Sequence, residues 1–336
     1  MNQPPAAETK RGTETERGSG AYRPGLARFA WVTAASTFLV LLAGASVTST
    51  GSGLSVPDWP LSYGKLFPPM TGGILFEHGH RMVAGAVLLL VLALTVWVWR
   101  VPVRRSLRCV ATTALILVVA QAVLGGLTVL WLLPPLISVA HAATAMVVFG
   151  LVVTVAALCS RGWVTDGAPG AASLRGVGGW GAAVTGIVFL QIFVGAVMRH
   201  IGAGLACPEF PLCHGAWIPP LDSFFVAVHF YHRAGGVVVA LAVWALAAVA
   251  WRSGTGEAGI RRLALLASIW VALQFLLGVL SIWTRLSPAI TVLHHGGGAF
   301  LLALTLLLTL WSYRRSAPWV DAPAAHPSAA PLPVSP

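Results

Sequence analysis

The sequence predicts an all-α membrane protein, with eight transmembrane helices arranged as two tandem four-helix bundles related by a pseudo-two-fold axis along the membrane normal. Three observations carry that expectation. Of the 336 residues, 57% are hydrophobic and only 9% charged, and the mean hydropathy is +0.81. Apolar runs long enough to cross a ~30 Å hydrocarbon core recur along the chain. Two long loops repeat each other at a constant spacing, which divides the eight runs into two sets of four.

The runs are expected at Arg28–Thr48, Leu75–Trp99, Leu107–Trp131, Ile137–Ser160, Gly178–Met198, Phe224–Trp251, Leu263–Trp283 and Ala289–Tyr313. Basic residues gather in alternate connections: Arg28 and the residues before it, then Arg100, Arg104, Arg105 and Arg108, then Arg161 and Arg175, then Arg252, Arg261 and Arg262, and finally Arg314 and Arg315. The other connections carry only Lys65, Arg199 and Arg285. By the positive-inside rule both termini are cytoplasmic, in keeping with an even number of spans. The net charge of +11 is therefore topological, a set of anchors to membrane lipid, and gives no reason to expect a nucleic-acid partner. Residues 1–27 lack the apolar centre of a signal peptide and read as a disordered cytoplasmic N-terminus, and the Pro- and Ala-rich residues 316–336 as a disordered cytoplasmic tail. Between them lie a first half at 28–160, a cytoplasmic linker at 161–177 and a second half at 178–315.

The repeat is explicit in the outer loops. Gly44 through Gly64 aligns without a gap on Gly195 through Gly215, with Gly51 on Gly202, Gly53 on Gly204, Pro57 on Pro208, Asp58 on Glu209 and Pro60 on Pro211. Both loops then reach a Pro-Pro pair, Pro68-Pro69 and Pro219-Pro220. The helices that follow open on Glu77-His78-Gly79-His80-Arg81 and on His229-Phe230-Tyr231-His232-Arg233. Further on, His141 after Ile137 matches His294 after Ile290.

Each half thus places one histidine near the outer end of its second helix and one near the outer end of its fourth. Imidazoles facing each other at matched depth supply the two axial nitrogens of a six-coordinate haem iron, so the duplication predicts two haem sites near the outer surface. A single intramembrane histidine is as readily a buried, hydrogen-bonded residue; four at repeat-equivalent positions weigh against that. Zinc is disfavoured because no carboxylate or thiolate accompanies both pairs. His229 and His295 are neighbouring, weaker ligand choices, and His78 lies on another face from His80.

The halves differ at Glu77, one turn before His80, where the second half has His229. A carboxylate at a porphyrin edge can shuttle protons, which makes the first half the reactive one, although an acid at a helix start also suits the dipole. Arg81 and Arg233 could pair with haem propionates or with lipid head groups. Cys207 and Cys213 flank Pro208 and Pro211 in an outer, oxidising loop and are expected to form a disulfide; Val56 and Ser62 stand at the equivalent places. Cys109 and Cys159, near cytoplasmic helix ends, are expected as buried thiols.

Glu-x-x-His-Arg opening the second span, a histidine opening the fourth, the repetition of both and the Cys-Pro-x-x-Pro-x-Cys loop together resemble the haem A synthase family, membrane oxidoreductases of cytochrome oxidase assembly. The similarity runs from about Arg28 to Tyr313. It implies stepwise oxidation of the C8 methyl of haem O to the formyl of haem A, with haem O held by His80 and His141, haem b as cofactor held by His232 and His294, and Glu77 as the catalytic carboxylate. It also implies a Cys207–Cys213 disulfide. Some members carry a first-loop cysteine pair as well, and a mechanism needing those thiols is closed to a chain with Val56 and Ser62. Implied partners are haem O, with the haem O synthase that delivers it, and an electron donor that the sequence does not name; homo-oligomerisation stays open. Haem b beside the substrate would give electrons a route. The competing expectation is a dihaem b-type cytochrome that only transfers electrons, which has no use for Glu77 beside one haem alone. A transporter with gating histidines ranks lower, because its polar breaks belong at the bilayer midplane.

Overall fold

A computed structural model describes residues 21–165, 171–254 and 256–316. Among these residues eight helices are long and apolar enough to cross a membrane: α1 Pro24–Ser49, α2 Gly72–Arg100, α3 Arg105–Leu130, α4 Pro135–Cys159, α5 Ser173–His200, α6 Phe224–Arg252, α7 Ala258–Trp283 and α8 Pro288–Ser316. They are the eight expected spans, with starts at most five residues early (Ser173 against Gly178, Ala258 against Leu263). The terminal stretches expected to be disordered lie outside the described residues, apart from 21–27 and Ser316, and there α1 and α8 are already helical at Pro24 and still helical at Ser316.

Local chemistry sets the helix ends. Proline occupies the first position of α1, α4 and α8, where its missing N–H has no helical partner to lose. Before the first long loop α1 ends in a Schellman turn: Ser52 N–H reaches Val47 O at 2.9 Å and Gly51 takes φ +68°. Gly202, after α5, takes the same left-handed conformation (φ +78°). The ends of α3 and α7 match each other too, with Leu133 N–H on Thr128 O and Leu286 N–H on Ser281 O, at 2.7 and 2.8 Å.

In the first half α1 packs on α2 and α4, and α3 on α2 and α4; in the second, α5 packs on α6 and α8, and α7 on α6 and α8. The halves meet along α1, α4, α5 and α8. Small residues let these helices approach, as membrane helix packing requires: Gly296 of α8 lies against Leu42 of α1 across the seam, and Gly181 of α5 against Thr309 of α8 within the second half. Met146, Phe149 and Val152 of α4 and Leu301, Leu304 and Leu308 of α8 fill the centre. Arg199 crosses the seam at its outer end and donates to Thr48 O at 2.6 Å.

The two repeated loops fold alike. Each carries one cis peptide, Trp59-Pro60 and Phe210-Pro211, and one isolated bridge, Ser62 with Lys65 and Cys213 with Ala216. Cys207 and Cys213 form the expected disulfide, with Cα atoms 4.8 Å apart. Cys159 is buried, but Cys109 is exposed on the outward side of α3, contrary to expectation. A small thiol on that side meets lipid, which asks for no partner.

Candidate functional site

The four expected histidines share one construction. Each imidazole lies over a glycine of the preceding helix: His80 over Gly44, His141 over Gly125, His232 over Gly195 and His294 over Gly278. A Cβ on those glycines would lie 3.1, 3.0, 2.8 and 3.0 Å from the imidazole Cε1, so a larger side chain would push the ring away. All four rings remain partly accessible inside their bundles.

In the second half the rings of His232 and His294 stand 6.4 Å apart, centre to centre, at 85°. A metal bound at ~2 Å by one nitrogen of each ring fits that gap. In the first half His141 lies within electrostatic range of His80. The Nδ1 atoms of His80 and His141 are buried without a hydrogen-bond partner, as expected of rings whose placement a ligand completes. The His232–His294 pair therefore fits one bis-imidazole group, and the first half repeats its parts at His80 and His141.

Sequence reasoning missed the residues that support the rings. Gln121-Ala-Val-Leu-Gly125, Gln191-Ile-Phe-Val-Gly195 and Gln274-Phe-Leu-Leu-Gly278 are one motif in three copies, and Val40-Leu-Leu-Ala-Gly44 is the fourth with its glutamine missing. In each complete copy the amide reaches the main chain of the histidine seated over its glycine: Gln121 Nε2 donates to His141 O at 2.8 Å, Gln191 to His232 O at 2.7 Å and Gln274 to His294 O at 2.8 Å. The signal was legible in the sequence, but a glycine four residues after a polar residue is common in membrane helices and says nothing alone.

Glu77 is buried beneath the first outer loop. Its Oε1 accepts from Arg81 at 2.7 Å and its Oε2 from Val56 N–H at 2.9 Å. Arg81 also donates to Asp58 O and Leu61 O, and Arg233 donates to Leu212 O and Glu209 O. Both guanidiniums thus tie the loops to the helix mouths, a role the sequence did not suggest beside propionate or lipid binding. His229 takes the place of Glu77, with Nδ1 at 2.9 Å from Ala203 O and 3.4 Å from Cys207 N, and is committed to the loop. His295 lies within electrostatic range of Arg199 and His200 of α5. His78 bonds to Ser62 Oγ at 2.7 Å. The Asp58 carboxyl, accepting from Gly64 and Tyr63 N–H, is held below the ordinary carboxylate range, chiefly by the Gly64 bond.

The first loop is thus held by hydrogen bonds and the second also by a covalent bond. Cys213→Ser is expected to remove about 2 kcal/mol of local stability, which speeds limited proteolysis between His200 and Ser223 roughly thirtyfold. Cleavage of the first loop should not change.

Residues 27–74 and 72–306 match the family model COX15-CtaA, cytochrome oxidase assembly protein. A heme A synthase of Symbiobacterium thermophilum is 36% identical over 281 residues, covering 79% of this chain and 89% of that one. One from Geobacillus kaustophilus is 30% identical over 314 residues, 90% of this chain and 96% of its own length. Another, from Halalkalibacterium halodurans, is 33% identical over 230 residues, 65% and 75% of the two chains. With that family's pattern running from α1 into α8, this multi-pass membrane protein belongs to the COX15-CtaA cytochrome oxidase assembly proteins.

Proposed function

We propose that the chain is a haem A synthase, an oxidoreductase that converts the C8 methyl of haem O to a formyl group and so makes haem A for cytochrome c oxidase. The observation that carries this is the pair of imidazole sites, each ring seated over a glycine, with a carboxylate beside only one pair. His80 and His141 hold the substrate haem O, and His232 and His294 hold haem b. Haem b, when bound, supplies a one-electron route to the substrate site.

Glu77 is the catalytic residue, one helical turn from His80, and its carboxylate takes up protons released as the methyl C–H bonds are broken. A proton arriving at Oε2 makes that oxygen a weaker acceptor for the Val56 N–H, so proton transfer and the grip on the loop are linked. Arg81 holds the carboxylate by Oε1 and by the same guanidinium holds the loop above it.

The distribution of arginines supports cytoplasmic termini, and the histidines' place at the loop-bearing helix ends supports haem sites near the outer face. Haem O is taken from the membrane, handed over by the synthase that makes it. Extraction of the pigments from purified protein, followed by mass determination, tests the function. Haem b together with haem O or haem A is expected; haem b alone, at two per chain, would instead mark a dihaem cytochrome.

A further inference from the structure

The four ring supports are unequal, and the inequality follows the halves. In the second half each glutamine amide touches its histidine twice, with Gln191 Nε2 at 3.1 Å and Gln274 Nε2 at 3.2 Å from Nδ1 in addition to the main-chain bonds. Both amides fit because glycine stands three residues after the histidine: Gln191 Oε1 packs against Gly235 and Gln274 Oε1 against Gly297. Gln274 Oε1 is buried without a hydrogen-bond partner, as is Gln121 Oε1 in the first half, so the difference between the halves lies in the Nδ1 contacts and the glycines. In the first half Val83 and Thr144 replace those glycines. There Gln121 reaches only the His141 carbonyl, and Val40 offers His80 no side-chain hydrogen bond at all. The loop above His80 is also the one without a disulfide.

We infer that Gln191 and Gln274 are positioning residues that lock the two imidazoles of the second half, and that His80 is the exchangeable ligand at which the substrate haem is taken up and the product released. This rests on the haem A synthase reading, in which one haem must stay and the other must leave. A ring whose Nδ1 meets a side-chain amide must break that contact to turn, whereas the His80 ring, which has at most the Val40 main chain beside it, has no side-chain amide to break.

The test swaps the two arrangements in the full-length protein and follows haem transfer to apomyoglobin. Gln191→Val is expected to release haem b about tenfold faster, the worth of one buried hydrogen bond, and to shift its low-spin electron paramagnetic resonance signal. The double variant V40Q/V83G, which builds the missing support on the first half, is expected to release haem O about tenfold more slowly. Unchanged transfer rates in both variants would overturn the inference. Should V40Q/V83G be recovered without haem, Gln191→Val decides alone. His80→Ala and His232→Ala run alongside: if both keep a full haem complement, it is the ligand assignment that fails, and the two failures are told apart.

Discussion

On the proposed assignment, valine in place of Gly195 or Gly278 is expected to lower the haem b content of the protein while leaving the first-half site able to bind haem O, and valine in place of Gly44 or Gly125 to do the reverse. The imidazole Cε1 atoms already lie within 3.1 Å of where a Cβ would stand, so any side chain there displaces the ring from the position its iron requires. Overpacking of this kind costs about 1–3 kcal/mol, roughly 5- to 150-fold in haem affinity. Haem content per chain, read from pyridine haemochrome spectra, is the measurement. Gly186→Ala serves as control, because a Cβ there meets nothing within 4 Å. Loss of both haems from every cradle variant would mean that the two sites are not separate.

The second large effect belongs to Glu77. Glu77→Gln and Glu77→Ala are both expected to lower haem A formation by about 10²- to 10⁴-fold while haem stays bound. The comparison between them separates chemistry from bracing. Glutamine keeps a single acceptor oxygen, for Arg81 or for the Val56 N–H but not for both, so a residue that merely held the loop would be weakened by it less than by alanine. Alanine leaves the Arg81 guanidinium, a half-buried charge, without its carboxylate, and is expected to add a loss of stability that glutamine does not. Full turnover by Glu77→Gln would remove the carboxylate from the mechanism.

Much of this architecture could be read from residues alone, because membrane crossing leaves a length signature and duplication leaves an alignment. The spans, the paired loops, the Cys207–Cys213 bond and the four repeat-related histidines were all legible in that way. The histidines' supports were not, because Gln121, Gln191 and Gln274 act on helices that are neighbours in space, and only the packing of α3 on α4, α5 on α6 and α7 on α8 shows what they reach. The arginines show a different shortfall. A guanidinium beside a ligand histidine at a membrane mouth suits a propionate, a lipid phosphate or a turn of main-chain carbonyls equally well, and the sequence does not reveal that the loop folds back to present Asp58 O and Leu61 O to Arg81.

Only one of the two outer turns is closed covalently, and this gives the protein an order of maturation. The amino-terminal half needs no oxidant and is chemically complete once inserted and folded. Its sister half is finished only after Cys207 and Cys213 have been oxidised to a disulfide. A newly made chain therefore passes through a stage in which the second half still awaits its crosslink while the first needs none.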